Sequence, residues 1–182
     1  MIQVFTFAQI SKMTSYTFKN VTLDDLKIVQ ILAEKIWKVV YPPIIGHEQV
    51  EYMLEKMYSI ESLEDQIGTK GHQIYLLQED SISIGFLSFS LHFGDSNNRT
   101  RLHKLYLLPD KHGKGLGKMM LEFVQKHSEQ AGDKGIELNV NKMNPAFEFY
   151  AQQGFEVEKA VVLEIGHGYV MDDYVMVRSH QL

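Results

Sequence analysis

Leu102-His-Lys-Leu-Tyr-Leu-Leu-Pro-Asp-Lys-His-Gly-Lys-Gly-Leu-Gly-Lys-Met-Met-Leu-Glu-Phe-Val124 reads as an apolar strand that runs into a glycine-rich turn and then a helix. Gly113, Gly115 and Gly117 let the main chain approach a ligand closely. The unbonded amides and the dipole at the start of the helix favour negative charge there. Lys111, Lys114 and Lys118 add positive charge around the same turn. The stretch therefore predicts a phosphate site at a strand-to-helix junction.

The flanking sequence supplies the frame. Residues 16–19 form a strand candidate, and Thr22 stands three positions before Asp25, the spacing of a capping box. Leu26, Val29, Ala33, Ile36 and Val40 then make one apolar stripe, so a helix is expected over 23–40, ended by Pro42-Pro43. Helical runs follow at 47–57 and 60–67. Residues 73–78 and 82–92 are β-rich and joined by a polar turn, which predicts a hairpin; a loop at 94–98 leads to a strand over 100–108. After the glycine turn come a helix at about 114–131, a strand at 136–140, and a helix at 146–153 that Asn144-Pro145 starts and Gly154 stops. Strands at 155–165 and 169–177 flank Gly166-His167-Gly168. This order predicts an α/β fold: a mixed, mostly antiparallel twisted sheet flanked by helices, with one parallel pair made by the crossover through 102–140.

At 182 residues and 45% hydrophobic, the chain is expected to form a single domain over 15–182, with residues 1–14 a peripheral extension ahead of it. A formal net charge of −5 argues against a nucleic-acid partner. The absence of cysteine excludes disulfides, thiolate nucleophiles and zinc–sulfur sites and fits a reducing compartment. The first residues lack the basic leader and cleavage site of a signal peptide, and no run approaches the ~20 apolar residues of a membrane span, so a cytoplasmic protein without a membrane partner is expected. No metal site is expected either, since His47-Glu48-Gln-Val-Glu51 departs from H-E-x-x-H at its last position.

Spacing separates the possible phosphate ligands. A P-loop would place glycine where His112 stands and Ser or Thr where Met119 stands. A dinucleotide turn, G-x-G-x-x-G, matches poorly a stretch that reads G-x-G-x-G beyond the middle of the chain. The third candidate is the pyrophosphate of coenzyme A.

Here the sequence resembles the GCN5-related N-acetyltransferase family, whose Gln/Arg-x-x-Gly-x-Gly/Ala motif reads His112-Gly-Lys-Gly115-Leu-Gly117 in this chain, with histidine in the first place. A second segment, Asn141-Lys-Met-Asn-Pro-Ala-Phe-Glu-Phe-Tyr150-Ala-Gln-Gln-Gly-Phe155, is similar to the family's asparagine-to-Gly-Phe helix, with Met143 where many relatives carry the asparagine. Trp37 to Tyr41, the 48–54 run and the ending 171–176 are more loosely similar to the PaiA-type polyamine acetyltransferases within the family.

The resemblance implies a set of roles. Acetyl-CoA is the implied cofactor, with the main chain of Leu105, Tyr106 and Leu107 along its pantetheine arm. Residues His112, Gly113, Lys114, Gly115, Leu116, Gly117 and Lys118 would surround its pyrophosphate, and Asn141 or Asn144 would contact the arm. Tyr150 is the implied general acid. His103 stands where relatives often carry a glutamate base and titrates in a suitable range. Asp172 and Asp173 are candidates for attracting a cationic amine, although strand alternation lets at most one enter a cleft. Trp37 and Tyr41, one helical turn apart, are candidates for lining the acceptor pocket. Structural readings stand beside these: a tyrosine or tryptophan packed in a core, a strand histidine, a solvated acidic pair. The expected activity is acetyl transfer to a primary amine of a small molecule, a polyamine among the candidates. Peptide acetylation and a non-catalytic coenzyme-A-binding sensor are the alternatives, and a homodimer is the assembly common in the family.

Overall fold

A computed structural model describes residues 14–94 and 98–180. The expected extension before residue 14 and the centre of the 94–98 loop lie outside the described residues. Seven strands form one sheet in the order β1-β2-β3-β4-β5-β7-β6. β1 (Tyr16–Asn20), β2 (Gln73–Glu79), β3 (Ile82–Phe93) and β4 (Arg99–Leu107) run antiparallel in succession, and β5 (Gly135–Asn141) joins β4 in parallel. β7 (Tyr169–Ser179) and β6 (Glu156–Gly166) complete the sheet antiparallel. The mixed sheet with one parallel pair is thus as the element order predicts.

Local chemistry sets the elements. Asp25 accepts the Thr22 N–H at 3.1 Å and pairs with Lys19 at 2.6 Å, which anchors a 3-10 turn (Leu23–Asp25) ahead of helix α1, Leu26–Val40. The expected helix is thereby divided at Leu26. Pro42-Pro43 ends α1 and also opens a one-turn helix α2, Pro42–Ile45, that the sequence reading did not foresee; proline is well suited to a first helical turn. Helices α3 (His47–Tyr58) and α4 (Ile60–Gly68) follow. The β2–β3 turn places Asp80 and Ser81 at φ 47° and 70°, the primed geometry of a two-residue hairpin. Helix α5, Leu116–Ala131, begins two residues later than expected because Gly115 is left-handed, φ 77°. Helix α6 is Ala146–Gln152.

The helices cover opposite faces. α1 to α4 pack on one face around Val29, Ile36, Trp37, Met53, Leu63 and Phe86, and α5 and α6 pack on the other around Leu87, Phe89, Met120, Val124, Ile136 and Phe155. Two features of β4 position the site. First, β4 and β5 pair only at Thr100, Arg101 and Leu102, so the β5-side edge of residues 103–107 has no neighbouring strand. Second, β3 and β4 slip register between Ser88↔Lys104 and Phe89↔Leu102, leaving His103 as an inserted bulge residue. Gly85 allows the β3–β4 pair to close: a Cβ there would stand 2.4 Å from the Tyr106 carbonyl oxygen.

Candidate active site

The gap between β4 and β5 opens a cleft of about 1020 Å³ that runs from the glycine turn to α4. At one end, Gly113 (φ 75°) and Gly115 (φ 77°) have open space where a side chain would stand. Met119 makes the first helical bond, to the Gly115 carbonyl at 3.1 Å, and among the described residues no side chain caps α5. The amides just ahead of it are therefore unspent donors at a helix N-terminus. Lys118 lies along the cleft wall, largely exposed. These features fit an anionic pyrophosphate. Two expected contributors are committed elsewhere. Lys111 donates to Glu79, which also accepts Tyr16 Oη at 2.9 Å, so its ammonium ties the turn to the β2 edge. His112 Nε2 lies 3.2 Å from the Leu107 carbonyl and folds the turn back on the strand.

Along the cleft, Leu105, Tyr106 and Leu107 bond β3 on one side and leave the other edge of their main chain open. Unpaired buried amides and carbonyls require partners, and an extended pantetheine arm can supply them. Asn144 is spent locally: its Oδ1 accepts Ala146 N–H at 2.9 Å and its Nδ2 donates to Tyr41 Oη at 3.3 Å. Asn141 Oδ1 accepts Met143 N–H at 3.0 Å, and its side chain lies beside Asp173 on the cleft wall.

Tyr150, on α6, is buried and lines the cleft. Burial holds that phenol well above the ordinary tyrosine range, so it keeps its proton. Opposite it, Trp37 stacks on Tyr41 at 4.2 Å, and Tyr41 Oη meets Tyr106 Oη at 3.3 Å. Both expected aromatics line the cleft, although Trp37 is also core, 2% exposed.

The acidic pair divides as strand alternation requires. Asp172 faces outward and pairs with Lys142 at 2.5 Å. Asp173 is 2% exposed and lines the cleft; Asn139 Nδ2 donates to its Oδ2 at 3.4 Å, while its Oδ1 is buried without a partner among the described residues. Burial raises its carboxyl above the usual range.

His103 also borders the cleft. Its Nε2 is 2.9 Å from Ser90 Oγ, and its ring stacks on His72 at 3.8 Å. Burial, with help from His72 and Lys104, pushes its pKa to about 2, and burial pushes that of His72 to about 4. Both imidazoles are neutral.

Gln66, His72 and Lys104 are among the cleft residues that escaped the sequence reading. The available signal was His103-Lys104, two adjacent polar residues within a strand otherwise flanked by apolar ones. The bulge brings both toward the face covered by α4, where Lys104 meets Gln66 and Tyr58, and His103 meets His72.

A splayed parallel pair, an uncapped glycine turn and a helix-borne tyrosine beside the gap define an acyltransferase of the acyl-CoA type. The chain belongs to the GNAT acetyltransferase family, whose domain model matches residues 43–170. It is 29% identical to the spermidine N(1)-acetyltransferase of Thermoplasma acidophilum over 149 residues, 79% of this chain and 90% of that one. It is 26% identical to an uncharacterized N-acetyltransferase of Mycobacterium bovis over 158 residues, 86% of this chain and 99% of that one. Among solved structures, the PaiA N-acetyltransferase of Thermoplasma acidophilum in complex with coenzyme A superposes with a TM-score of 0.76 at 26% identity, covering 91% of this chain and 99% of the other. A GCN5-related N-acetyltransferase of Rhodopseudomonas palustris superposes equally well, TM-score 0.76, at 15% identity, which speaks for the fold alone; it covers 90% and 95% of the two chains.

Proposed function

We propose that this acetyltransferase moves the acetyl group of acetyl-CoA to the primary amine of a small molecule. The observation that carries the reading is Asp173 in the cleft: a buried carboxylate with one oxygen unbonded among the described residues, on the same cavity as the buried Tyr150. Coenzyme A, the ligand of the PaiA structure, is the cofactor, held by the main-chain edge of Leu105 to Leu107 and the amides of the glycine turn. Its acetylated form, acetyl-CoA, would supply there a thioester already activated for attack.

The residues divide the remaining work. Asp173 Oδ1 receives the ammonium form of the acceptor and accepts its proton, its raised proton affinity making it a better base than an exposed aspartate. The free nitrogen lone pair then forms the new bond to the acyl carbon, the carbon–sulfur bond breaks, and the nitrogen releases its surplus proton, which restores the Tyr150 phenol after that group has protonated the sulfur. The Tyr150 hydroxyl holds the proton for the departing sulfur. His103, with its pKa near 2, is too weak a base for this step and instead orients the cleft wall through Ser90 and His72.

The small size of the acceptor is supported by how the far wall closes. Gln49 Nε2 donates to the Val170 carbonyl at 2.9 Å and Tyr52 Oη to that of Ile165 at 2.6 Å, so the β6–β7 hairpin is fastened to α3. A polypeptide would need an open groove there. Spermidine is the acceptor in the name of the Thermoplasma relative, but this cleft offers one carboxylate, Asp173, among its described lining residues, so only the amine class is carried over.

Thiol release with acetyl-CoA across a panel of amines and peptides tests the reading. Turnover on a small amine, reduced about 10²-fold in kcat by Tyr150→Phe with coenzyme A affinity retained, is the expected result. Turnover confined to peptides would overturn the small-molecule assignment, and unchanged kcat in Tyr150→Phe would remove that residue from the chemistry.

A further inference from the structure

Beyond Leu105, in the direction away from the glycine turn, the cleft wall carries an excess of positive groups. Lys56, Lys70, Arg101 and Lys104 all border the cavity, against the single carboxylate of Asp173. Three of the four cations are answered by protein groups. Lys56 donates to the Ile165 carbonyl, Lys70 pairs with Asp65 at 2.8 Å, and Arg101 pairs with Glu137 at 2.7 Å.

Lys104 is different. It is 4% exposed, and among the described residues it pairs with no carboxylate. Its ammonium donates to Gln66 Oε1 and lies 5.5 Å from the centre of the Tyr58 ring. Gln66 is itself locked: its Nε2 donates to the Met57 carbonyl at 2.8 Å and to Ser62 Oγ at 3.1 Å, which fixes Oε1 toward the lysine. An ammonium has three donors, and one carbonyl plus one ring face leave the group undercompensated. A buried charge without an opposite charge is costly, and proteins retain one where something else meets it. The stacked pair His72 and His103, both neutral, faces the same end of the cavity and offers no negative charge.

We infer that Lys104 is an anion-binding subsite for the acceptor, so that the preferred substrate is an amine that also carries a carboxylate or phosphate rather than a polyamine. The inference rests on the acetyl-transfer reading and narrows its substrate class. Asp173 on β7 receives the amine end, and Lys104 on β4, braced by Gln66, receives the anionic end. The two opposite charges lie on different walls of one cavity, which suits a zwitterion. A polyamine would place a second ammonium beside Lys104 and be repelled.

Matched pairs of acceptors test this: γ-aminobutyrate against butylamine, phosphoethanolamine against ethanolamine, and spermidine as the polyamine. In the unmodified protein the anion-bearing member of at least one pair is expected to exceed its neutral partner in kcat/KM by about tenfold or more, in line with a hydrogen bond to a charged group. Which pair responds tells carboxylate from phosphate. Lys104→Met should collapse that ratio toward one. Gln66→Glu, which keeps the lysine but pairs it internally, should do the same. A preference for spermidine, or a ratio that neither variant moves, overturns the proposal. Should no amine be acetylated, the acetyl-transfer reading fails, and calorimetric titration of the coenzyme-A-loaded protein decides the subsite separately: γ-aminobutyrate or phosphoethanolamine binding that Lys104→Met abolishes supports it, and absence of binding by both refutes it.

Discussion

Replacing Lys104 with methionine is expected to stabilise the protein at neutral pH. Burial, aided by Lys70, lowers the lysine from its ordinary 10.5 to about 8. At 1.36 kcal/mol per tenfold change in proton affinity, the protonated lysine costs the folded state about 3 kcal/mol. Methionine has a similar length and no charge, and removes that cost. Against it stands the loss of a donor to Gln66 Oε1, which remains buried and unanswered at about 1–2 kcal/mol. The cost of the charge is the larger, so a net gain of about 1–2 kcal/mol remains, or roughly 2–8 °C in melting temperature for a chain of this size. The sign with pH follows from the lowered affinity. Below about pH 8 the folded state holds the full penalty, and as pH rises from about 8 toward 10.5 the unfolded chain binds more protons than the folded one, so the unmodified protein gains stability over that window. The advantage of Lys104→Met therefore shrinks through the same window and reverses near its top, where the neutral lysine still bonds Gln66. Thermal unfolding of both proteins, followed by circular dichroism from pH 7 to pH 10, measures the difference. A variant that is less stable at pH 7, or a difference that does not change with pH, refutes the premise of a buried, uncompensated ammonium.

Gly115→Asp should abolish coenzyme A binding measured by calorimetry, since it puts a side chain and a negative charge into the open space before α5 at φ 77°; tight binding by the variant would place the pyrophosphate elsewhere. Gly85→Ala should destabilise the chain by roughly 1–3 kcal/mol in urea unfolding, because its Cβ would overlap the Tyr106 carbonyl at 2.4 Å and push β3 from β4. His103→Gln should leave the pH profile of kcat/KM without the loss of any ionisation between pH 5 and 8, since the imidazole already titrates near 2; disappearance of a limb near pH 6.5 would restore it as the base.

Much of the site could be read along the chain because its parts are local. A glycine turn between a strand and a helix declares itself by spacing, and so do Asn144-Pro145 and the Tyr150 helix, each within a few residues. The division of Asp172 and Asp173 between solvent and cleft also followed from strand alternation, although only the fold shows which of them is inside. The glycine turn from Gly113 to Gly117 precedes α5 as its spacing predicts, but two residues expected to help it hold an anion are engaged elsewhere. Lys111 and His112 find Glu79 and the Leu107 carbonyl, partners 32 and 5 residues away, the first of which no local pattern can reveal.

Sequence by itself determined the element order, the mixed sheet and the family, since periodicity, capping residues and turn glycines act over a few bonds and leave their mark on neighbouring letters. Tertiary structure alone decided the chemistry of the cleft wall. The slip in register beside Ser88 brings His103 and Lys104 toward the face covered by α4, and burial then neutralises the histidines while the lysine meets no counter-ion among the described residues. Register, desolvation and pairing are properties of what packs across space, and Gln66, His72, Lys104 and Asp173 line one cleft only because α4, the turn leading into β2, β4 and β7 meet around the gap that parts β4 from β5.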